Sequence, residues 1–156
     1  MSEKRKYQIE LDAEQLKILQ QACELVSRLG TGQWRTMLDY LPIKKYLTDA
    51  EFDWESYHKD VDTIGKILAK YTTDHVDGWT SSLGIYNKNL KEHVNIAWDL
   101  YQVFRQRLAW DRAHDNGEIE SNEINQNKRN WKVQLGVDFD EPMQSSKTPF
   151  AKVKNI

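Results

Sequence analysis

Residues 6–11, Lys-Tyr-Gln-Ile-Glu-Leu, alternate polar and apolar, which puts Tyr7, Ile9 and Leu11 on one face of a short predicted strand. The period then changes. Asp12, with Gln15 three residues on, makes a capping box, and Leu11 and Leu16 are spaced as a hydrophobic staple around it. Leu16, Leu19, Cys23, Val26 and Leu29 recur at helical spacing, and Ile18, Ala22 and Leu25 widen the stripe. A first helix is therefore expected to run to Gly30, a residue suited to a left-handed C-terminal turn. After Thr31-Gly32, the stretch Gln33 to Leu41 predicts a short second helix that Pro42 ends.

Thr48 with Glu51 makes a second capping box, and Leu47 with Phe52 a second staple, so a third helix is expected to start there. Tyr57, Val61, Ile64, Leu68 and Tyr71 come next at helical spacing. Gly65 interrupts them at a cost of about 1 kcal/mol relative to alanine. Residues 72–90 carry turn-forming Thr, Asp, Gly, Ser and Asn and predict a long irregular segment. The fourth helix is expected to start near Asn89, with Glu92 at the capping-box position, and to reach about Ala113. One stripe of it holds Val94, Ala97, Trp98, Tyr101, Phe104 and Leu108, and another Ile96, Leu100, Val103 and Trp110. Only Asn95, Asp99, Gln102 and Gln106 form a polar strip. A helix apolar on so many sides is either central or covered by another chain, which predicts a homo-oligomer.

Beyond an Asn116-Gly117 turn lies a polar, Asn-rich stretch to residue 130. Trp131, Val133, Leu135 and Val137 alternate as in a second strand, and Pro142 and Pro149 interrupt the C-terminal residues. The fold class expected is mainly α with a small β component (α+β): about four helices, a short N-terminal strand and a C-terminal strand. All 156 residues fit one domain, with an extended tail from about 140 to 156 packing on the body or on a neighbour.

Composition narrows the function classes. At 39% hydrophobic and 29% charged the chain is globular, and six Trp, seven Tyr and four Phe supply large apolar surfaces. A net charge of -2 gives no overall footprint for long nucleic acid. Cys23 is the only cysteine, which excludes an intrachain disulfide or cysteine metal cluster and reads as a structural thiol. The N-terminal residues lead into no apolar run, so neither a signal peptide, a membrane span nor membrane binding is expected, and the location expected is cytoplasmic.

Two segments carry candidate chemistry. Ser27-Arg28-Leu29-Gly30-Thr31-Gly32-Gln33-Trp34-Arg35 places two glycines between helices and arginines around the turn. Glycines let a backbone approach a ligand, a helix start offers N–H groups to an anion, arginine grips phosphate in two places, and Trp34 offers a stacking face. It lacks the Lys-Ser/Thr pair of a phosphate-binding loop. The same residues also describe a plain helical corner with a buried tryptophan. The second segment, Arg105, Arg107, Trp110 and Arg112, forms either an arginine–aromatic wall or charges suited to a helix C-terminus, paired with Asp99 or Asp111. His114, three residues past Asp111, is expected to pair with it. Asp74, His75 and Asp77 are the nearest approach to a metal-binding set, but no recognised ligand spacing occurs, and neither metal nor other cofactor is expected. No nucleophile–base arrangement is evident, so the chain is read as a non-enzyme. The acids Asp49, Glu51, Asp53, Glu55, Asp60 and Asp62 read as a solvated helix face.

Leu25-Val26-Ser27-Arg28-Leu29-Gly30-Thr31-Gly32-Gln33-Trp34, Ala97-Trp98-Asp99-Leu100-Tyr101-Gln102-Val103-Phe104-Arg105, Leu108-Ala109-Trp110-Asp111-Arg112 and Asp140-Glu141-Pro142-Met143 together resemble small phage-encoded proteins. Most of these are uncharacterised. The chain also resembles the phage sponge proteins that counter CBASS, a cyclic-nucleotide defence system. That resemblance implies a homo-oligomer in the host cytoplasm that sequesters a cyclic dinucleotide or related nucleotide without cleaving it. Arg28, Gln33, Trp34, Arg105 and Trp110 are the ligand contacts it implies. The chain departs from the pattern at Gln106, where a histidine often comes after the arginine. The alternative is a protein-interaction module that inhibits a host enzyme, motivated by the apolar fourth helix and the acidic third. A nucleotide-processing enzyme is the third reading.

Overall fold

The computed structural model describes residues 5–42, 51–71, 82–121, 123–124, 142–149 and 151–154. They form α1 (Ala13–Gly30), a 3-10 helix η1 (Trp34–Tyr40), α2 (Trp54–Ala69) and α3 (Glu92–Asp115). These correspond to the four helices expected, and the protein is mainly helical. No strand forms among the described residues. Residues 6–11, expected as a strand, are exposed, and their backbone makes no hydrogen bond to other described residues. A strand needs a partner ladder, and the described residues offer none. The second expected strand, 131–139, and most of the irregular segment, 72–81, fall outside the described residues.

Local chemistry accounts for most helix ends. The Asp12–Gln15 capping box is made reciprocally, at 2.8 and 3.0 Å, and it fixes the start of α1. At its other end the left-handed residue is Gly32 (φ 95°) rather than Gly30, and Thr31 is the C-cap. Gly30 serves close packing instead: a Cβ there would lie 2.3 Å from Val94 Cγ2. Asp53, not Thr48, caps α2; its carboxylate accepts the Ser56 N–H at 3.0 Å and the Ser56 hydroxyl at 2.7 Å. Thr48 itself lies outside the described residues. α3 starts later than expected because the Asn87 side chain accepts the Asn89 N–H at 2.9 Å and holds a turn there. Lys91 is the N-cap. At the end of α3, Gly117 (φ 71°) passes its N–H to His114 O and Glu118 passes its own to Ala113 O, a Schellman closure.

Packing reverses two expectations. α1 lies chiefly on α3, and its most deeply buried side chain is Ser27, 1% exposed, whose hydroxyl donates to Glu24 O. Leucine and valine positions of its apolar stripe stay exposed: Leu19, Val26 and Leu29, together with Ile18. Ser27 and Gly30 let the helices approach where Val94, Ala97 and Tyr101 of α3 are buried. Further along α3, Ala109, Trp110 and Ala113 form a core cluster against Ile119 and Ile124.

The polar strip of α3 is also buried, by residues 142–149 of the same chain. The Gln102 side chain amide donates to Met143 O at 2.8 Å and accepts the Met143 N–H at 2.9 Å. The Asp99 carboxylate accepts the N–H groups of Ser145 (2.8 Å) and Ser146 (3.0 Å) and the Ser145 hydroxyl (2.8 Å). Glu92 accepts the Lys147 N–H at 2.8 Å. Asp99 and Gln102 are 4% and 2% exposed, so this part of the polar strip is withdrawn from water by the chain itself.

Candidate functional site

The corner between α1 and η1 is built on Arg28. Its Nε donates to Glu24 at 2.8 Å and its Nη1 to Gln33 Oε1 at 3.0 Å, so Arg28 and Gln33 are brought together as one polar group. The backbone closes the same turn, with Gln33 N–H donating to Arg28 O at 2.8 Å. Trp34 and Arg35 open η1, and the Arg35 guanidinium lies 5.4 Å from the Trp34 ring. Arg35 also forms an ion pair with Asp62, which links η1 to α2. The Leu83 N–H donates to Thr31 O at 2.9 Å and braces the corner from the segment before α3.

On α3, Arg105 lies over the Tyr101 ring at 4.9 Å and donates to the Tyr101 hydroxyl at 3.0 Å. Trp98 extends this aromatic surface, 5.3 Å from Tyr101. Tyr40 has its phenol pKa raised, first by desolvation and then by the Glu24 and Asp39 carboxylates; Arg28 acts in the opposite direction and Tyr101 in the same one. The Tyr40 hydroxyl points at Gln21 O at 3.5 Å.

Among the described residues, three N–H donors in these segments are buried without a hydrogen-bond acceptor: Trp34 Nε1, Arg35 Nε and Arg105 Nε. Each such group costs about 1–3 kcal/mol relative to a paired one.

The other sequence candidates lie elsewhere. Trp110, 7% exposed, belongs to the core cluster, so it is not placed with Arg28, Gln33, Trp34 and Arg105. Arg107 is buried in a two-point ion pair with Asp111, at 2.7 and 3.1 Å. That pair replaces the expected one with His114, which stands 3.6 Å from Asp115. Asp99 is engaged by residues 145–146, not by an arginine. Cys23 is half-buried and desolvation raises its pKa, the reverse of a reactive thiolate. Tyr40 and Tyr101 were absent from the expected contacts. Tyr101 lies four residues before Arg105, a spacing that could have flagged it.

Among the described residues no three His, Cys, Asp or Glu side chains stand together as a metal site, and no helix is long and apolar enough to cross a membrane. No family model, curated protein or solved structure matches the chain.

Proposed function

We propose that this protein binds a cyclic dinucleotide or related nucleotide signal and sequesters it without cleavage, as a homo-oligomer acting in a host cytoplasm against a nucleotide-based defence. The observation that carries this reading is that each candidate segment holds an arginine–aromatic pair, Arg35 with Trp34 and Arg105 with Tyr101. Phosphates supply acceptors for N–H groups and charge for guanidinium groups, and bases stack on aromatic faces. Arg28 and Gln33 supply polar contacts at the same corner.

Isothermal titration against a panel of cyclic di- and trinucleotides tests it. Binding to at least one is expected, with the ligand recovered unchanged by mass spectrometry after long incubation. Arg28→Ala and Arg105→Ala each weaken that binding about tenfold or more, the loss of one charge-assisted contact. Failure of every member of the panel to bind ends the proposal, and recovery of a cleaved product replaces sequestration with turnover.

A second reading, a module that docks on a host enzyme, draws support from α2. Ile64 and Ile67 are 46% and 50% exposed there beside the exposed acids Asp60 and Asp62. A stoichiometric partner recovered from host lysate and lost with Ile67→Asp favours it.

A further inference from the structure

The N-terminal segment has the composition of a strand and the surroundings of none. Tyr7, Ile9 and Leu11 alternate with Lys6, Gln8 and Glu10, yet Tyr7 is 83% and Ile9 72% exposed. Among the described residues no backbone group of residues 5–11 has a hydrogen-bond partner. The chain continues directly into α1, where Ile18, Ala22, Val26 and Leu29 fall on one helical face and are all exposed. Two apolar faces adjoining in sequence are thus both left without cover.

We propose that residues 5–11 and the outer face of α1 form a twofold interface with a second copy of this chain. An unpaired strand is a template for another, and a twofold axis makes the same segment its own complement. Antiparallel pairing centred on Gln8 sets Lys6 opposite the partner's Glu10, and Glu10 opposite the partner's Lys6. The same register sets Tyr7 opposite the partner's Ile9. Opposite charges and aromatic–β-branched pairs are the favoured cross-strand neighbours. Among the described residues neither Lys6 nor Glu10 has an ion-pair partner within its own chain. A two-stranded ribbon is barely stable alone and needs an apolar face to lie on. The exposed stripe of α1 provides one in each copy. This inference gives the oligomer of the proposed function its interface, and its test uses no nucleotide, so either can fail alone.

Light scattering on the full chain should give twice 18.4 kDa at micromolar concentration. Ile9→Pro removes a ladder donor and a paired side chain, and Ile18→Asp puts a charge in the helical face. Each is expected to weaken dimerisation about tenfold or more with helical circular dichroism unchanged, since both positions are exposed. Gln8→Cys in a Cys23→Ser background brings two thiols opposite each other, with Cβ atoms about 5 Å apart, and a short bis-maleimide should link them. Lys66→Cys, exposed on α2, serves as the control and should link poorly. A monomer mass for the unmodified chain overturns the proposal. So does a dimer that survives both Ile9→Pro and Ile18→Asp, or one in which Gln8→Cys links no better than Lys66→Cys.

Discussion

Two sides of α3 are buried by opposite chemistry. Towards α1 the contact is close and apolar, with Gly30 leaving room for Val94 and with Ala97 and Tyr101 buried nearby. Towards residues 142–149 it is polar, with Gln102 and Asp99 engaging backbone groups 41 to 47 residues away. The first side tolerates little change in volume. The second tolerates little change in hydrogen bonding, because its donors are main-chain groups withdrawn from water.

The largest effect is expected on the polar side. Asp99→Ala leaves the N–H groups of Ser145 and Ser146 without their acceptor and the Ser145 hydroxyl with only Asn95 O. It should lower the unfolding free energy by about 3 kcal/mol in a urea titration. Hydrogen exchange at residues 143–147 should speed up in step. Unchanged exchange there would show that this stretch does not seal the helix.

On the apolar side, Gly30→Ala drives a methyl group into Val94 and should cost about 2 kcal/mol. Val94→Ala in the same chain should recover part of that cost, a coupling that a double-mutant cycle measures directly. Additive losses would mean that the contact is not what holds the helices at this distance.

What could be read in advance divides along the same line. The Asp12–Gln15 box, the short helix after Gly32 and the turn at Gly117 are each written within a few residues, so their chemistry was legible. Arg28 and Gln33 were both singled out, but their contact with each other, five positions apart, was not. The polar strip of α3 was legible as a pattern, but its occupant was not, since Ser145 lies 46 residues from Asp99. Periodicity alone assigns polar positions to water. It also assigned the apolar stripe of α1 to the core, whereas the smaller side with Ser27 and Gly30 packs inward. Trp110 was placed at the site by its neighbours in sequence, yet a large ring is equally suited to a core, and the fold uses it there.

A smaller loss isolates one donor of the polar side. Ser145→Ala removes the hydroxyl that reaches Asp99 at 2.8 Å and Asn95 O at 3.2 Å while keeping the backbone N–H. About 1 kcal/mol should be lost, roughly a third of the Asp99→Ala effect. A loss as large as that of Asp99→Ala would place the energy in the hydroxyl and not in the main-chain contacts.

The smallest effect comes from Asp53, which repeats the Asp99 arrangement in water: its carboxylate accepts the N–H and hydroxyl of a serine, Ser56, three residues away. Its pKa is lowered, first by the Ser56 N–H bond and then by the Ser56 hydroxyl. Because the folded value lies below the unfolded one, its contribution is present above the ordinary aspartate range and is lost as pH falls through the folded value. The Ser56 amide signal should therefore titrate below the ordinary aspartate range, with fraying confined to the first turn of α2. Asp53→Asn keeps a cap and should abolish that titration. If the Ser56 amide instead titrates at the ordinary aspartate value, the exposed pair confers no preference for the ionised form.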